Sequence, residues 1–157
     1  MRRVAVLGAT GSIGRSTLDV IQRHPDRYQV ALLSAHHSVD DMEALCRTHQ
    51  PTHAVMGDPD AAAALADRLA DLSAVTVESG AAVLDDLVAE STVDSVVAGI
   101  VGFAGLRPTL SAARAGKTIL LANKEALVSA GGLFMETVRQ GGATLLPVDS
   151  EHNAMHQ

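Results

Sequence analysis

The sequence predicts a doubly wound α/β fold, with a mostly parallel sheet and helices on both faces. Short runs rich in Val, Ile and Leu alternate with longer helical stretches along the whole chain. Alternation at this spacing requires crossover connections, which place neighbouring strands parallel. Hydrophobic residues make up 47% of the chain and aromatic residues only 2%. The core must therefore consist of Val, Leu, Ile and Ala, which suits a buried parallel sheet under Ala-rich helices.

The first part of the chain contains four predicted strands and three predicted helices. The strands are apolar runs bounded by turn residues, at 2–8, 28–35, 53–57 and 74–79. The helices are predicted at 12–24, 38–50 and 59–72. Ser38 is a plausible N-cap of the second helix, and Pro51 lies just beyond its end. Asp58 caps the third helix, in which Pro59 takes the first position.

The second part continues the alternation with three more strands and three more helices. The strands are predicted at 93–102, 117–122 and 143–150, and the helices at 80–90, 104–116 and 124–140. Gly116 ends the middle helix, whereas Gly131 and Gly132 interrupt the last one. About seven β units alternate with six helices, without repeats.

Composition excludes several classes of protein. The 157 residues suffice for one compact domain. A net charge of −6 without a Lys/Arg cluster disfavours nucleic-acid binding, and no apolar run is long enough to span a membrane. A lone cysteine, Cys46, excludes a disulfide framework and a Cys-based zinc site, and we expect it to be a small helix residue. Without a recognisable signal peptide, a cytoplasmic location is expected.

A glycine motif follows the first predicted strand. In "VAVLGATGSIG", Gly8 permits a tight turn, Gly11 lets the backbone approach a pyrophosphate, and Gly14 lets the helix pack against the sheet. Backbone amides and the helix dipole favour a phosphate there. In this context the motif predicts a Rossmann-like dinucleotide site, although a glycine turn without ligand is the alternative. The predicted cofactor contacts are Thr10, Gly11, Ser12 and Ile13.

The turn after the second strand predicts the type of dinucleotide. An NAD enzyme usually has an acidic residue here, which binds the ribose 2′-hydroxyl. This chain has His36, His37 and Ser38 instead, with no acid before Asp40. The missing carboxylate favours NADP. The alternative is that the two histidines are surface residues beside a helix cap.

Three later strand ends carry further candidate residues. Small residues at 98–105 could accommodate a flat ligand or pack a helix against the sheet. Asn123, Lys124 and Glu125 could bind cofactor and substrate, or only form a helix N-terminus. Asp149 and Glu151 lie two apart in extended chain, so their carboxylates share one side and suit Mg²⁺ or Mn²⁺. A solvated acidic loop is the alternative.

Four segments together resemble one enzyme family. "LGATGSIGRSTLDVI", "AGIVGFAGLRPTL", "AGKTILLANKEALV" and "LLPVDSEHNA" are similar to the amino-terminal half of 1-deoxy-D-xylulose 5-phosphate reductoisomerases. The resemblance implies NADPH-dependent rearrangement and reduction of that substrate to 2-C-methyl-D-erythritol 4-phosphate, a step of non-mevalonate isoprenoid biosynthesis. It also implies a divalent metal that holds substrate oxygens.

The resemblance assigns a role to each candidate residue. The glycine loop would bind the NADPH phosphates and the 36–38 turn its 2′-phosphate. The remaining implied contacts are Asn123 and Glu125 to cofactor; Lys124, Ser150 and Glu151 to substrate; and Asp149 and Glu151 to the metal. A short-chain reductase is the competing enzyme class, but it needs a Tyr-xxx-Lys pair, and the sole tyrosine, Tyr28, is followed four residues later by Leu32.

The chain departs from the family in three respects. His36-His37-Ser38 replaces a turn that is often Gly-Lys-Asn, and Met155-His156 replaces Ile-Phe. We expect residues 1–148 to form the NADPH-binding domain and 149–157 to begin the catalytic segment. The family continues into segments that should supply a third metal carboxylate and a homodimer interface. This chain alone is therefore expected to bind cofactor without turnover, or to act only as a dinucleotide-binding module.

Overall fold

The computed structural model describes residues 1–122 and 124–148. Seven strands form one sheet, and every pairing between neighbours is parallel. The strands are β1 (Arg2–Leu7), β2 (Tyr28–Ala35), β3 (His53–Met56), β4 (Thr76–Ser79), β5 (Ser95–Ala98), β6 (Thr118–Leu121) and β7 (Thr144–Pro147). Their order across the sheet is β4-β3-β2-β1-β5-β6-β7.

Six α-helices connect the strands, as the alternation predicts. They are α1 (Ser12–Arg23), α2 (Val39–His49), α3 (Pro59–Arg68), α4 (Ala81–Ala89), α5 (Leu106–Arg114) and α6 (Lys124–Gly141), with a 3-10 turn at Gly102–Gly105 before α5. The doubly wound α/β fold is therefore confirmed, and the sheet is wholly parallel over the described residues.

The sheet separates two apolar clusters. Helices α1, α2 and α3 cover one face, where Leu18, Met42 and Leu65 pack against alternate residues of the strands. Helices α4, α5 and α6 cover the other face, where Leu87 and Phe134 lie in the second cluster. Burying a strand on both faces explains why the strand sequences are continuous apolar runs rather than alternating ones.

Local signals in the sequence place most element boundaries. The Asp58 carboxylate accepts a hydrogen bond from the Asp60 amide at 3.0 Å, and Pro59 opens α3 as predicted. Ser38 takes the N-cap position of α2, but its side chain makes no capping bond. Gly116 adopts a φ of +72° just after α5, which is the glycine termination that the sequence predicts.

Three predicted elements need correction. α3 ends at Arg68 rather than at residue 72, because the next residues form a separate turn in which the Leu72 amide donates to the Leu69 carbonyl at 2.8 Å. β5 ends at Ala98 rather than at residue 102, because both neighbouring strands end opposite it, β1 at Leu7 and β6 at Leu121. The interruption of α6 falls at Ala130, whose φ of −130° is not helical, and so precedes the two glycines that were expected to cause it. The early end of β5 arises from contacts between strands, which local sequence does not encode.

Cys46 lies in α2 and is fully buried. Burial raises the pKa of its thiol to about 11. At neutral pH the thiol is protonated and poorly nucleophilic, which agrees with the predicted packing role. Among the described helices, none is both long and apolar enough to cross a bilayer.

Candidate functional site

A cleft opens at the carboxyl edge of the sheet, where the strand order reverses between β1 and β5. Such crevices are the usual ligand sites of open α/β sheets. The cavity has a volume of about 550 Å³. It is lined by residues from the glycine loop, from the ends of β2, β3 and β5, and from the start of α4: among them are Gly8, Thr10, Gly11, Ser34, His36, Gly57, Gly80 and Gly99.

Two of the three loop glycines are required by the packing of the protein itself. Gly8 has a φ of +73°, and a Cβ there would lie 2.7 Å from the carbonyl oxygen of Gly99. A Cβ on Gly14 would lie 2.5 Å from the Gly8 carbonyl oxygen and 2.6 Å from the Ala9 Cα. These backbone atoms cannot rotate away, so both glycines permit β1, β5 and α1 to approach closely.

Gly11 differs from its two neighbours in the motif. A Cβ there would meet only the Gly8 carbonyl oxygen, at 3.4 Å, which is an ordinary contact. Its φ of −79° is open to any residue. The fold therefore does not need a glycine at this position, whereas a ligand lying against the exposed loop backbone would. Among the three loop glycines, Gly11 is the one whose missing side chain leaves space in the cleft.

The first turn of α1 supplies backbone donors beside Gly11. The helix has no side-chain cap and no acidic residue in its first turn. The Gly11 amide donates to the Gly8 carbonyl at 3.1 Å. It is therefore already bonded, and the amides of Ser12 and Ile13 are the ones left to donate to a phosphate. Within the described residues, their amides have no acceptor, as is usual for the first amides of a helix. Their position and the helix dipole favour an anion.

The turn after β2 is divided between two cavities. His36 lines the cleft, where its ring lies against the backbone of Gly57. His37 packs edge-on against His36, with ring centroids 5.4 Å apart. His37 and Ser38 instead line a neighbouring polar cavity of about 450 Å³. The structure therefore brings His36 together with Thr10 and Gly11, and places His37 and Ser38 beside the start of α2.

The floor of the cleft includes residues that sequence reasoning did not single out. Ser34, near the end of β2, accepts a hydrogen bond from the Gly8 amide through its hydroxyl at 3.3 Å. Its carbonyl accepts from the Ala9 amide at 2.8 Å. Gly57 and Gly80 directly follow β3 and β4. The sequence does carry a signal for these two positions, which is a small residue directly after each strand.

The segment after β5 forms another wall of the cleft. Gly99, Ile100, Val101 and Ala104 line the cavity. Val101 is 84% exposed, an unusual environment for a large aliphatic side chain. The predicted surface for a flat ligand at 98–105 therefore borders the same cavity as the glycine loop.

The remaining candidates fall at the limit of the described structure. α6 begins at Lys124, so its backbone starts at the carboxyl edge directly after β6. Asn123, Asp149, Ser150 and Glu151 lie outside the described residues, as do the side chains of Lys124 and Glu125. Elsewhere in the described chain, no group of three or more His, Cys, Asp or Glu residues is arranged to hold a metal ion.

Comparison with known proteins decides the family. Residues 4–131 match the family model of 1-deoxy-D-xylulose 5-phosphate reductoisomerase. The chain belongs to this reductoisomerase family. A reductoisomerase from Ralstonia nicotianae is 57% identical over the whole chain, and one from Pseudomonas putida W619 is also 57% identical. The chain spans only 40% of the length of each of these relatives.

Solved structures of reductoisomerases have the same fold. The Zymomonas mobilis reductoisomerase in complex with NADPH is 51% identical, has a TM-score of 0.91, and is matched over 97% of this chain and 40% of its own. A reductoisomerase in complex with NADPH, fosmidomycin and magnesium is 47% identical, with a TM-score of 0.94 over 100% of this chain and 38% of its own. Biliverdin reductase from Synechocystis shares the fold at 19% identity and a TM-score of 0.59.

Proposed function

We propose that this chain is the NADPH-binding portion of a reductoisomerase that converts 1-deoxy-D-xylulose 5-phosphate to 2-C-methyl-D-erythritol 4-phosphate in non-mevalonate isoprenoid biosynthesis. Residues 1–148 would form the cofactor-binding domain, and 149–157 would begin the catalytic segment. The observation that carries the proposal concerns Gly11. The fold does not need a glycine at this position, yet Gly11 lies in the cleft beside the uncapped start of α1.

The cleft is suited to a dinucleotide diphosphate. The uncapped amides of Ser12 and Ile13 offer two hydrogen bonds to phosphate oxygens, and the dipole of the 12-residue helix adds a favourable field. Thr10 adds a hydroxyl from the same loop. The length of the cleft, from the glycine loop to the walls formed by Val101 and Gly80, leaves room for the rest of an extended ligand. Two related structures hold NADPH.

Substrate and metal would be bound at the other side of the carboxyl edge. NADPH, when bound, supplies the hydride for the reduction. Lys124, Ser150 and Glu151 would hold the phosphosugar, while Asn123 and Glu125 would contact the cofactor. Asp149 and Glu151 would provide carboxylates to Mg²⁺ or Mn²⁺, for which carboxylate oxygens are suitable ligands. A cytoplasmic location and a homodimer of the full-length enzyme belong to the same proposal.

A direct binding measurement tests the cofactor assignment. NADPH is titrated against the 157-residue chain by the change in nicotinamide fluorescence. Gly11→Ala should weaken binding about 10- to 100-fold, because its methyl group would keep a phosphate from the loop backbone. Gly132→Ala is the matched control, since a Cβ there meets nothing within 4 Å. Equal affinity in the wild type and Gly11→Ala would contradict this assignment.

Turnover separates the enzyme portion from a binding module. With NADPH, Mn²⁺ and 1-deoxy-D-xylulose 5-phosphate, this chain should show no oxidation of NADPH, because much of the length of its relatives is not represented in it. A protein extended to the length of those relatives should oxidise NADPH in proportion to added substrate. If that longer protein binds NADPH but leaves the substrate unchanged, the module is the better description.

A further inference from the structure

The guanidinium of Arg15 bridges the glycine loop, which borders the cofactor cleft, and the first turn of α2, which borders the neighbouring polar cavity. Its Nε donates to the carbonyl of Thr10 in the glycine loop, at 2.9 Å. Its Nη2 lies 3.0 Å from Oδ2 of Asp41, in the first turn of α2. Arg15 itself belongs to the first turn of α1. A single side chain therefore connects the loop beside the cleft with the helix that follows the 36–38 turn.

Two arginines pair with the first turn of α2, which follows the 36–38 turn: Arg15 with Asp41 and Arg68 with Asp40. In dinucleotide folds the turn after the second strand lies beside the adenosine ribose, and a nearby arginine accommodates the 2′-phosphate of NADP. Here residues 36–38 include no Lys or Arg. Arg15 lies between the glycine loop and the first turn of α2, since it contacts both Thr10 and Asp41. We propose that Arg15 recognises the 2′-phosphate of NADPH; this inference rests on the proposed function.

A phosphate can displace Asp41 from its ion pair with Arg15. The side chains of Arg15 and Asp41 are 53% and 51% exposed, and ion pairs at such exposure are held weakly. A phosphate dianion carries more charge than a carboxylate and can accept two parallel bonds from one guanidinium. While Nε remains bonded to Thr10, Nη1 and Nη2 can donate to the phosphate once Asp41 is displaced. The pair with Asp41 then keeps Arg15 oriented when no cofactor is bound.

Arg68 is the competing cation, because it lines the polar cavity that also includes His37 and Ser38. It pairs with Asp40, also in the first turn of α2, and its side chain is similarly exposed, at 44%. Its second partner is Glu43, at 3.3 Å. The hydrogen bonds and ion pairs of Arg68 within the described residues include none with the glycine loop. If any exposed cation near α2 could aid NADPH binding, Arg68 and Arg15 would behave alike.

The test compares NADPH with NADH, which differ only in the 2′-phosphate. In Arg15→Gln, the dissociation constant for NADPH should rise about tenfold or more, while that for NADH stays within about twofold. Arg68→Gln should weaken NADPH binding less than Arg15→Gln does, because the contacts of Arg68 among the described residues include none with the glycine loop, and an equal or larger loss in Arg68→Gln would overturn the role of Arg15. Arg23→Gln is the control, since Arg23 pairs with Asp19 along α1, and it should change neither constant. Asp41→Asn should strengthen NADPH binding a few fold by removing the competing carboxylate, and should have no such effect in the Arg15→Gln background. Thermal unfolding should show that all variants remain folded.

The outcomes distinguish this inference from the proposed function. If the wild type prefers NADPH and Arg15→Gln retains the same preference, the role of Arg15 is wrong and the NADPH assignment stands. Equal weakening of both dinucleotides also overturns it, since Arg15 would then only shape the loop. If the wild type binds neither dinucleotide, the proposed function fails and the inference fails with it. Should Arg15→Gln be unstable, Arg15→Lys replaces it, with an intermediate loss of preference for NADPH expected.

Discussion

The two ends of the sheet are held together in different ways. At the carboxyl edge, backbone meets backbone: Gly8 lies against Gly99, and Gly14 against Gly8 and Ala9. At the amino edge, charged side chains connect strands. The guanidinium of Arg3, in β1, binds the carboxylate of Asp94 through Nε at 3.0 Å and Nη2 at 2.9 Å.

A third strand joins the ion pair at the amino edge. Lys117, just before β6, donates through Nζ to the carbonyl of Val93 at 2.6 Å, and its charge also favours the ionised form of Asp94. The side chains of Arg3 and Asp94 are 41% and 36% exposed. If either partner is replaced, water can form part of the hydrogen bonds that the other loses. The amino edge should therefore tolerate substitution. The carboxyl edge should not, because its contacts join backbone atoms.

The largest effect is expected at the carboxyl edge. Gly14→Ala should reduce the free energy of unfolding by about 3 kcal/mol, because its methyl group meets backbone atoms that can yield only if α1 moves away from the sheet. Urea unfolding measures this. Gly11→Ala, three residues earlier, should stay within about 0.5 kcal/mol of the wild type. Equal stability of the two variants would remove the distinction between a packing glycine and a ligand-directed one.

A smaller effect is expected at the amino edge. Asp94→Asn should cost about 1 kcal/mol, since it removes a partly solvated ion pair while the amide can still accept a bond from Arg3. Asp19→Asn is the control, because Asp19 pairs with Arg23 along one exposed helix and should contribute only a few tenths of a kcal/mol. A loss of 3 kcal/mol in Asp94→Asn would mean that both edges are equally rigid.

The smallest expected effect is a dependence of the free energy of unfolding on pH in the acid range. Hydrogen bonds from the side chain and the amide of Arg3 hold the pKa of Asp94 at about 2, below its ordinary 3.8. A carboxylate with a lowered pKa stabilises the fold above its unfolded pKa, and this contribution disappears as pH falls through the folded value. The stability difference between wild type and Asp94→Asn should therefore be constant near neutral pH and shrink between about pH 4 and pH 2. Unfolding curves across that range measure it, and a difference that persists at pH 2 would contradict the assignment.

Sequence reasoning was most successful where a signal is local. The alternation of apolar runs predicted seven strands and six helices, and Asp58-Pro59 and Gly116 predicted helix boundaries, because caps and glycine turns depend on neighbours in the chain. It was less successful where two distant segments meet. The early end of β5 depends on where β1 stops, and the separation of His36 from His37 depends on which cavity each ring faces.

The sequence by itself determined the doubly wound fold and the family, because hydrophobic periodicity and a few specific motifs are written along the chain. It also determined that a dinucleotide site should follow β1. Only the tertiary structure decided that packing requires Gly8 and Gly14 but not Gly11, since the three glycines differ in what a methyl group would meet. The bridge from Arg15 to Asp41 is of the same kind. These residues are 26 positions apart in the sequence, in the first turns of α1 and α2, and become neighbours only when the sheet has formed.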